Sequence, residues 1–465
     1  MPSKYVIHTR QTGHRFEPVT KSGIIAWEEG CLKCAVCVKQ ECVYGVYEKR
    51  NLDARQMIDS IDNKCMNCFR CVQNCPKQLI HKSINPEYME MGDVHWTPDI
   101  LARLWYQAQT GKIPVSGAGY PGPFTGPGFD SMWTDMSEIV RPTRDGIHGR
   151  EYISTAVDIG RTPRNLAFDK TGRMLKNNSG IINIPLPVII RAPGFGSISD
   201  KTLKGWISAA KRLNTFFALP VRYIDSELSK MSSYLVPVIS SKDLPAVTGN
   251  DHVKMFEYIW DDKGRENIEK LKELYPSAIV SARLYLEGDY VKTAMEILEA
   301  GCSIINLEGS YNGRVRDDEF TFIKDAIRSV HLSLVDKGLR DELTLLAGGG
   351  FAMAEHVAKS IICGADAVYV DFPILIALEC RMCHRCEQGI SCPVEIENAS
   401  AKWVASRTIN IIGAWHNQLL EVMGAMGIRD VRRLRGEVGR AMFYEELDKN
   451  IFGSLNKVEE EFELE

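Results

Sequence analysis

Twelve of the fourteen cysteines in this 465-residue chain fall into three groups. Cys31, Cys34, Cys37 and Cys42 run C-x2-C-x2-C-x4-C. Cys65, Cys68, Cys71 and Cys75 run C-x2-C-x2-C-x3-C and are followed by Pro76. Cys380, Cys383, Cys386 and Cys392 repeat the two short gaps and end again in Cys-Pro, at Pro393. Cysteines this close in sequence are poor disulfide partners but good co-ligands of one metal centre. Paired C-x2-C also builds tetrahedral zinc sites. Three cysteines at these gaps followed by a Cys-Pro are the pattern that holds a [4Fe–4S] cluster. Soft thiolate sulfur suits iron, so the predicted chemistry is electron transfer. Cys302 and Cys363 have no cysteine neighbours and read as small buried hydrophobes.

The elements that position these groups follow from the apolar pattern. Eight short apolar runs stand between residues 188 and 371: VIIR (188–191), TFFAL (215–219), YLVPVI (234–239), FEYIW (256–260), AIVSARLY (278–285), SIINLEG (303–309), LTLLAG (343–348) and AVYVD (367–371). Helical patterns such as DKTLKGWISAAKRL and GRENIEKLKELY separate most of them, and one is expected over DEFTFIKDAIRSVHLSLVDKG. Alternating strands and helices make a parallel sheet, and eight repeats predict an α/β fold closed as a (β/α)8 barrel of the TIM type. The irregular loops after the third and fourth runs leave an incomplete barrel as the alternative. A short helix is expected over LDARQMIDSI between the first two cysteine groups, a Gly- and Pro-rich connector over 85–130, and a helical segment beyond residue 400.

Barrel chemistry sits where strands end. One such end is Arg191-Ala-Pro193-Gly194-Phe-Gly196, where small residues let a flat ligand approach the backbone. Ser199 is the expected cap of the helix that follows. Arg283, the polar stretch Asn306-Leu-Glu308, and the Gly348-Gly349-Gly350 turn before a helix mark three more ends. Such a glycine turn is either a phosphate cradle or simply a tight turn. His148, in GIHGR, reads as a loop histidine with a smaller claim to catalysis.

Composition excludes some classes. The chain is 45% hydrophobic and 25% charged, with a formal net charge of −4, so no global field points to nucleic acid or anionic lipid. There is no apolar run of about 18 residues, so no membrane span is expected. The first residues lack an apolar signal core, and the expected location is the cytoplasm.

The stretches EIVRPTRDGIHGREYIS, GFGSIS, the GGG turn, GADAVYVDFPILIALEC and RTINIIGAWHNQLLEVMGAMGIRDVRRL resemble the FMN-binding, iron–sulfur synthase domain of glutamate synthases, in the stand-alone type with an N-terminal two-cluster ferredoxin module. The resemblance implies a ferredoxin-like domain over 1–84, a connector over 85–134, an FMN-binding barrel with a third cluster over 135–400 and a helical segment over 401–465. It implies FMN held by Pro193, Gly194, Gly196, Arg283, Asn306, Glu308, Gly348, Gly349 and Gly350, with Arg283 as the catalytic residue beside the flavin. Ferredoxin-like crossing would pair Cys31, Cys34 and Cys37 with Cys75, and Cys65, Cys68 and Cys71 with Cys42. The third cluster is expected as [4Fe–4S] on Cys380, Cys383, Cys386 and Cys392; with Cys383 left out it would be [3Fe–4S]. The implied function is electron passage between clusters and FMN, coupled to reductive amination of a 2-oxo acid or a related two-electron reaction on a small molecule. The alternative is an electron-transfer subunit whose substrate site lies on a partner chain. Either way a redox protein or partner subunits would exchange electrons with it. Four departures from the family pattern stand out. Arg283 replaces a lysine, Gly348 an acidic residue, and Asp371–Phe372 a Gly-Thr; a Gly-rich loop is missing near EYIWDDKG.

Overall fold

The computed structural model describes residues 5–26, 30–48, 60–113, 128–134, 153–161, 168–173, 180–246, 252–437, 439, 441–447 and 449. His148, most of the LDARQMIDSI segment, residues 114–127 of the connector and the acidic C-terminal tail lie outside them. The chain divides into two units. One comprises Met1–Gly13, Arg103–Cys380 and His384–Glu465; the other comprises His14–Ala102 with Arg381–Cys383.

The larger unit is a closed barrel. Its eight parallel strands are, in order around the wall, Val188–Arg191, Phe217–Pro220, Leu235–Ile239, Met255–Ile259, Ile279–Tyr285, Ile304–Glu308, Thr344–Gly348 and Ala367–Val370. Every predicted run is one of these strands, within two residues at either end. The eighth pairs with the first through Val368–Val188, Tyr369–Ile189 and Val370–Ile190, which closes the wall and rules out the incomplete barrel. A strand buried on both sides must be apolar throughout, and the strands Leu235–Ile239 and Ala367–Val370 are buried at every position.

Helices Asp200–Leu213, Gly264–Leu274, Tyr290–Glu299, Ile323–Asp336 and Ala354–Cys363 follow strands one, four, five, six and seven. The first buries Leu203, Trp206, Ile207, Ala210 and Leu213, the spacing of a single apolar face. Its start is capped as expected: Ser199 Oγ accepts a hydrogen bond from the Thr202 N–H at 3.4 Å. The helix expected to begin at Asp318 begins at Ile323. Residues Asp318–Phe322 are instead a strand paired with Arg314–Val315. From Glu319 to Phe322 polar and aromatic residues alternate, a period-two pattern that opposes helix. The 25-residue helix Ala401–Ala425 lies against Asp200–Leu213, where a Cβ at Gly205 would come within 2.6 Å of Val404. No helix among the described residues is long and apolar enough to cross a membrane.

In the smaller unit, Ser22–Ala26 pairs antiparallel with Ile80–Ile84, and the first two cysteine groups lie in the chain between them. A small core of Val46, Tyr47, Cys71 and Ile80 has Cys37, Cys42, Cys65 and Cys75 packed against it.

Candidate functional site

A (β/α)8 barrel is usually filled by Val, Ile and Leu. Here the strand ends instead carry a buried ionic network. Arg191, ending strand one, donates Nη1 to Glu308 of strand six and Nη2 to Asp371 after strand eight, the latter at 2.7 Å. Arg283 of strand five donates to Glu257 of strand four. Asn306 of strand six donates Nδ2 to Glu257 at 2.7 Å and to Glu308 at 3.4 Å. Glu257 and Asn306 have no exposed surface. Burial works against the charge on Arg191, but Glu308 and Asp371 more than offset it and hold the guanidinium protonated beyond its ordinary range. Arg283 follows the same logic: burial opposes its charge and Glu257 restores it. The Arg191 guanidinium lies 5.3 Å from the ring centroid of Tyr369. Burial pushes the Tyr369 hydroxyl well above its ordinary pKa, so it stays a proton donor.

Among the described residues, four buried polar atoms on strands five, six and eight lack hydrogen-bond partners: Ser281 Oγ, Arg283 Nε, Asn306 Oδ1 and the Tyr369 hydroxyl. Unmatched buried donors and acceptors are costly in a protein interior. Three donors and an acceptor on strands five, six and eight fit a ligand with complementary ring nitrogens and carbonyls, which describes the flavin ring system.

The structure brings Arg283, Asn306 and Glu308 into one network through Glu257 and places Gly348 against it. Gly348 has a steric reason: a Cβ there would lie 2.5 Å from Glu308 Oε2 and 2.9 Å from Arg191 Nη1. An acidic side chain at 348, the residue type of the family pattern from which this chain departs, would meet the Arg191–Glu308 pair. Gly349 and Gly350 take positive φ (95° and 71°), and their Cα positions abut the backbone of Gly309 and Gly313. The tight-turn reading accounts for both. Gly194 has open space where a side chain would start, whereas Gly196 (φ 131°) faces Leu375. Phe195 packs with Phe372 at 5.0 Å and with Tyr311 at 6.1 Å between ring centroids, over the ends of strands one, six and eight.

Sequence reasoning missed Glu257, Ser281 and Tyr369. The available signal for Glu257 was a lone carboxylate inside the apolar run FEYIW. A carboxylate there must be paired across the barrel interior or lie outside the wall.

The cysteine runs share one backbone. Non-glycine residues with positive φ flank the second cysteine in all three: Lys33 (54°) and Ala35 (60°), Asn67 (54°) and Phe69 (60°), Met382 (52°) and His384 (54°). A third positive φ follows the last cysteine of each group by three residues, at Gly45 (71°), Gln78 (54°) and Glu395 (41°). The third cysteine of each run sits on a helical turn, within Cys37–Glu41, Arg70–Gln73 and Arg385–Gln388. Each left-handed non-glycine residue costs about 1–2 kcal/mol. The eight in the three runs total on the order of 10 kcal/mol, comparable to the stability of a whole domain. Such strain persists when a bound group offsets it.

In the smaller unit, Cys42, Cys65, Cys68 and Cys71 line one pocket of ≈ 300 Å³, with Ile24, Val46, Tyr47, Phe69 and Lys82 among its walls. These four are one of the two crossed sets expected from the sequence. Lys82 Nζ donates to Cys65 Sγ at 2.5 Å. Backbone N–H groups also reach cysteine sulfur: Lys33 to Cys31 at 3.4 Å and Leu79 to Cys75 at 3.3 Å. No three His, Cys, Asp or Glu side chains among the described residues converge on a single-ion site. A cluster does not require that, because each thiolate binds its own iron and the four stand farther apart than ligands of one ion. Cys302 and Cys363 are buried, and burial pushes both thiols up to about 12, in keeping with inert core positions.

A family model described as a conserved region in glutamate synthase matches residues 258–429. An archaeal-type glutamate synthase [NADPH] of Dehalococcoides mccartyi is 24% identical, over 88% of this chain and 92% of that one. An archaeal glutamate synthase [NADPH] of Archaeoglobus fulgidus is 24% identical, over 88% and 91%. An archaeal-type glutamate synthase [NADPH] of Thermotoga maritima is 25% identical, over 91% and 95%. Among solved structures, a mandelate oxidase matches at 14% identity and a TM-score of 0.40, over 65% of this chain and 97% of that one, a likeness too slight to bear on the site.

Proposed function

Starting from a chain that belongs to the glutamate synthase family and is an oxidoreductase, we propose that it passes electrons between [4Fe–4S] clusters and an FMN seated at the C-terminal end of the barrel. The observation that carries this reading is the convergence of Cys42, Cys65, Cys68 and Cys71 on one pocket, the set that a two-cluster module would use for one cluster. Cys31, Cys34, Cys37 and Cys75 would hold the second. The positive-φ pattern at Met382, His384 and Glu395 matches the other two runs, which supports reading Cys380, Cys383, Cys386 and Cys392 as a third four-thiolate set.

FMN would supply the exchange between two-electron chemistry and single-electron steps. Pro193, Gly194 and Gly196 would let its ring lie against the backbone, and Arg283, Asn306, Glu308 and the Gly348–Gly350 turn would meet its polar edge. Arg283 carries the charge nearest the reacting centre in this reading. Its pairing with the fully buried Glu257 fixes the guanidinium in place, so its field is set before substrate arrives. Tyr369, held protonated, can donate a hydrogen bond at the same end.

The relatives' names specify glutamate synthesis with NADPH. For this chain the corresponding reaction is reductive amination of a 2-oxo acid, with electrons arriving from a redox protein or partner subunit in the cytoplasm. The second reading, an electron-transfer subunit whose substrate lies on a partner, draws support from the network itself. Both Arg191 and Arg283 are already committed to carboxylates, which weakens their claim to bind the carboxylate of a 2-oxo acid. Anaerobic turnover of the isolated chain with reduced ferredoxin, 2-oxoglutarate and ammonia separates the two. Glutamate formation establishes the enzyme reading; flavin reduction without glutamate moves the substrate to a partner chain.

A further inference from the structure

Arg407 lies on the helix Ala401–Ala425 with no exposed surface. Its guanidinium carries five N–H donors. Nε donates to the Ala377 carbonyl. The two terminal nitrogens, Nη1 and Nη2, have no hydrogen-bond partner among the described residues. Glu379 supplies an opposite charge, with its Oε1 3.7 Å from Nη1, beyond hydrogen-bond length. Glu379 takes a φ of 73° and directly precedes Cys380. The other face of the guanidinium is 4.9 Å from the Trp403 ring centroid. Burial lowers the pKa of Arg407 to about 10, with Glu379 opposing, so the group remains a cation at neutral pH.

A buried cation with four unused N–H groups is an expensive thing to leave unmatched. The Arg191 guanidinium shows the alternative within the same fold, with Nη1 and Nη2 each bonded to a carboxylate. What Arg407 adjoins instead is the segment entering Cys380. A four-thiolate [4Fe–4S] centre there would carry net negative charge on sulfurs that accept hydrogen bonds, and such bonds and charges set a cluster's potential.

We propose that Arg407 is a positioning residue that tunes the cluster of Cys380: its buried positive charge and free Nη donors stabilise the reduced, more negative form and raise the potential. This inference rests on the third cluster named above. Its failure can be told apart from failure of that reading, because iron content reports whether the cluster exists and potential reports what Arg407 does to it.

The test is an EPR-monitored redox titration of the anaerobically purified full chain, comparing the native protein with Arg407→Gln and Arg407→Lys. The expected result for Arg407→Gln is unchanged iron content and a negative shift of the third cluster alone. The reduced-to-oxidised ratio at a fixed potential should fall at least tenfold, which is about 59 mV for a one-electron couple. Arg407→Lys, which keeps the charge but loses the fork of donors, should fall between the two. Both variants retaining the third cluster at its native potential would overturn the proposal. So would a shift spread equally over all three clusters, since that would mean a general loosening. If Arg407→Gln does not accumulate, Arg407→Lys decides alone: its predicted shift supports the proposal and a native potential overturns it.

Discussion

Removing Arg191 tests the barrel network most sharply. Arg191→Met keeps most of the side-chain volume, so little of its effect is a cavity. What it removes is the counter-charge of two carboxylates at once. Glu308 is 8% exposed and Asp371 is 5% exposed, so water cannot readily replace the guanidinium. Taking one partner from a buried ion pair costs roughly 3–5 kcal/mol, because the remaining charge is left uncompensated. For a domain this large each kcal/mol lowers the thermal midpoint by roughly 2–4 °C. The barrel should therefore melt roughly 6–20 °C lower, read by circular dichroism on anaerobic holoprotein. Replacing the stranded acids by amides of the same shape, in Arg191→Met with Glu308→Gln and Asp371→Asn, should recover most of that loss. A single variant melting within about 2 °C of the native protein would refute the reasoning, as would a triple variant less stable than the single one.

Three further expectations follow from separate parts of the molecule. Gly348→Ala places a Cβ 2.5 Å from Glu308 Oε2. It should destabilise the barrel by about 1–3 kcal/mol and lower the flavin-to-protein ratio; native flavin content would show that the Arg191–Glu308 pair can shift without consequence. Cys42→Ser should remove the cluster shared with Cys65, Cys68 and Cys71 while leaving the EPR signal of the other N-terminal cluster. Loss of the other cluster instead would mean that the fourth ligands do not cross. His416, 6% exposed and 3.0 Å from Thr155 Oγ1, is held neutral by burial, with its pKa lowered to about 4. A depressed histidine contributes stability that is fully present above the unfolded value near 6.5 and is lost as pH falls towards 4. The loss amounts to roughly 3 kcal/mol. His416→Gln should flatten the fall in thermal midpoint between pH 7 and 4.5; an identical slope would contradict this assignment.

The barrel was legible because its strands are short apolar runs bounded by turns, and eight of them in alternation with helices leave few topologies. The cysteine groups were legible because ligand spacing is local. The ionic network was only half visible. Arg191, Arg283 and Glu308 stand at strand ends and draw notice there, but Glu257 sits within an apolar run and acquires its meaning only across the barrel, from residues 26 and 49 positions away. The glycine turn stayed ambiguous for a different reason. Gly349 and Gly350 are candidates for a phosphate, and they also accommodate the backbone of Gly309 and Gly313. A sequence cannot separate a ligand's approach from a neighbouring loop's. The helix expected from Asp318 failed because DEFTF pairs with Arg314–Val315, a local hairpin that displaces the first helical turn. Arg407 gave no signal, since an arginine on a long helix ordinarily faces solvent.

The central claim is that three clusters and one flavin share this chain. The measurement that tests it most directly is the iron, sulfide and flavin content of anaerobically purified protein, with EPR of the oxidised and reduced states. The account predicts about twelve irons, at four per cluster, with one FMN and no [3Fe–4S] signal in the undamaged oxidised protein. A [3Fe–4S] signal in undamaged protein would exclude Cys383 from the third set. Clusters without flavin would contradict the account outright, leaving the barrel's charged interior with no part in electron transfer.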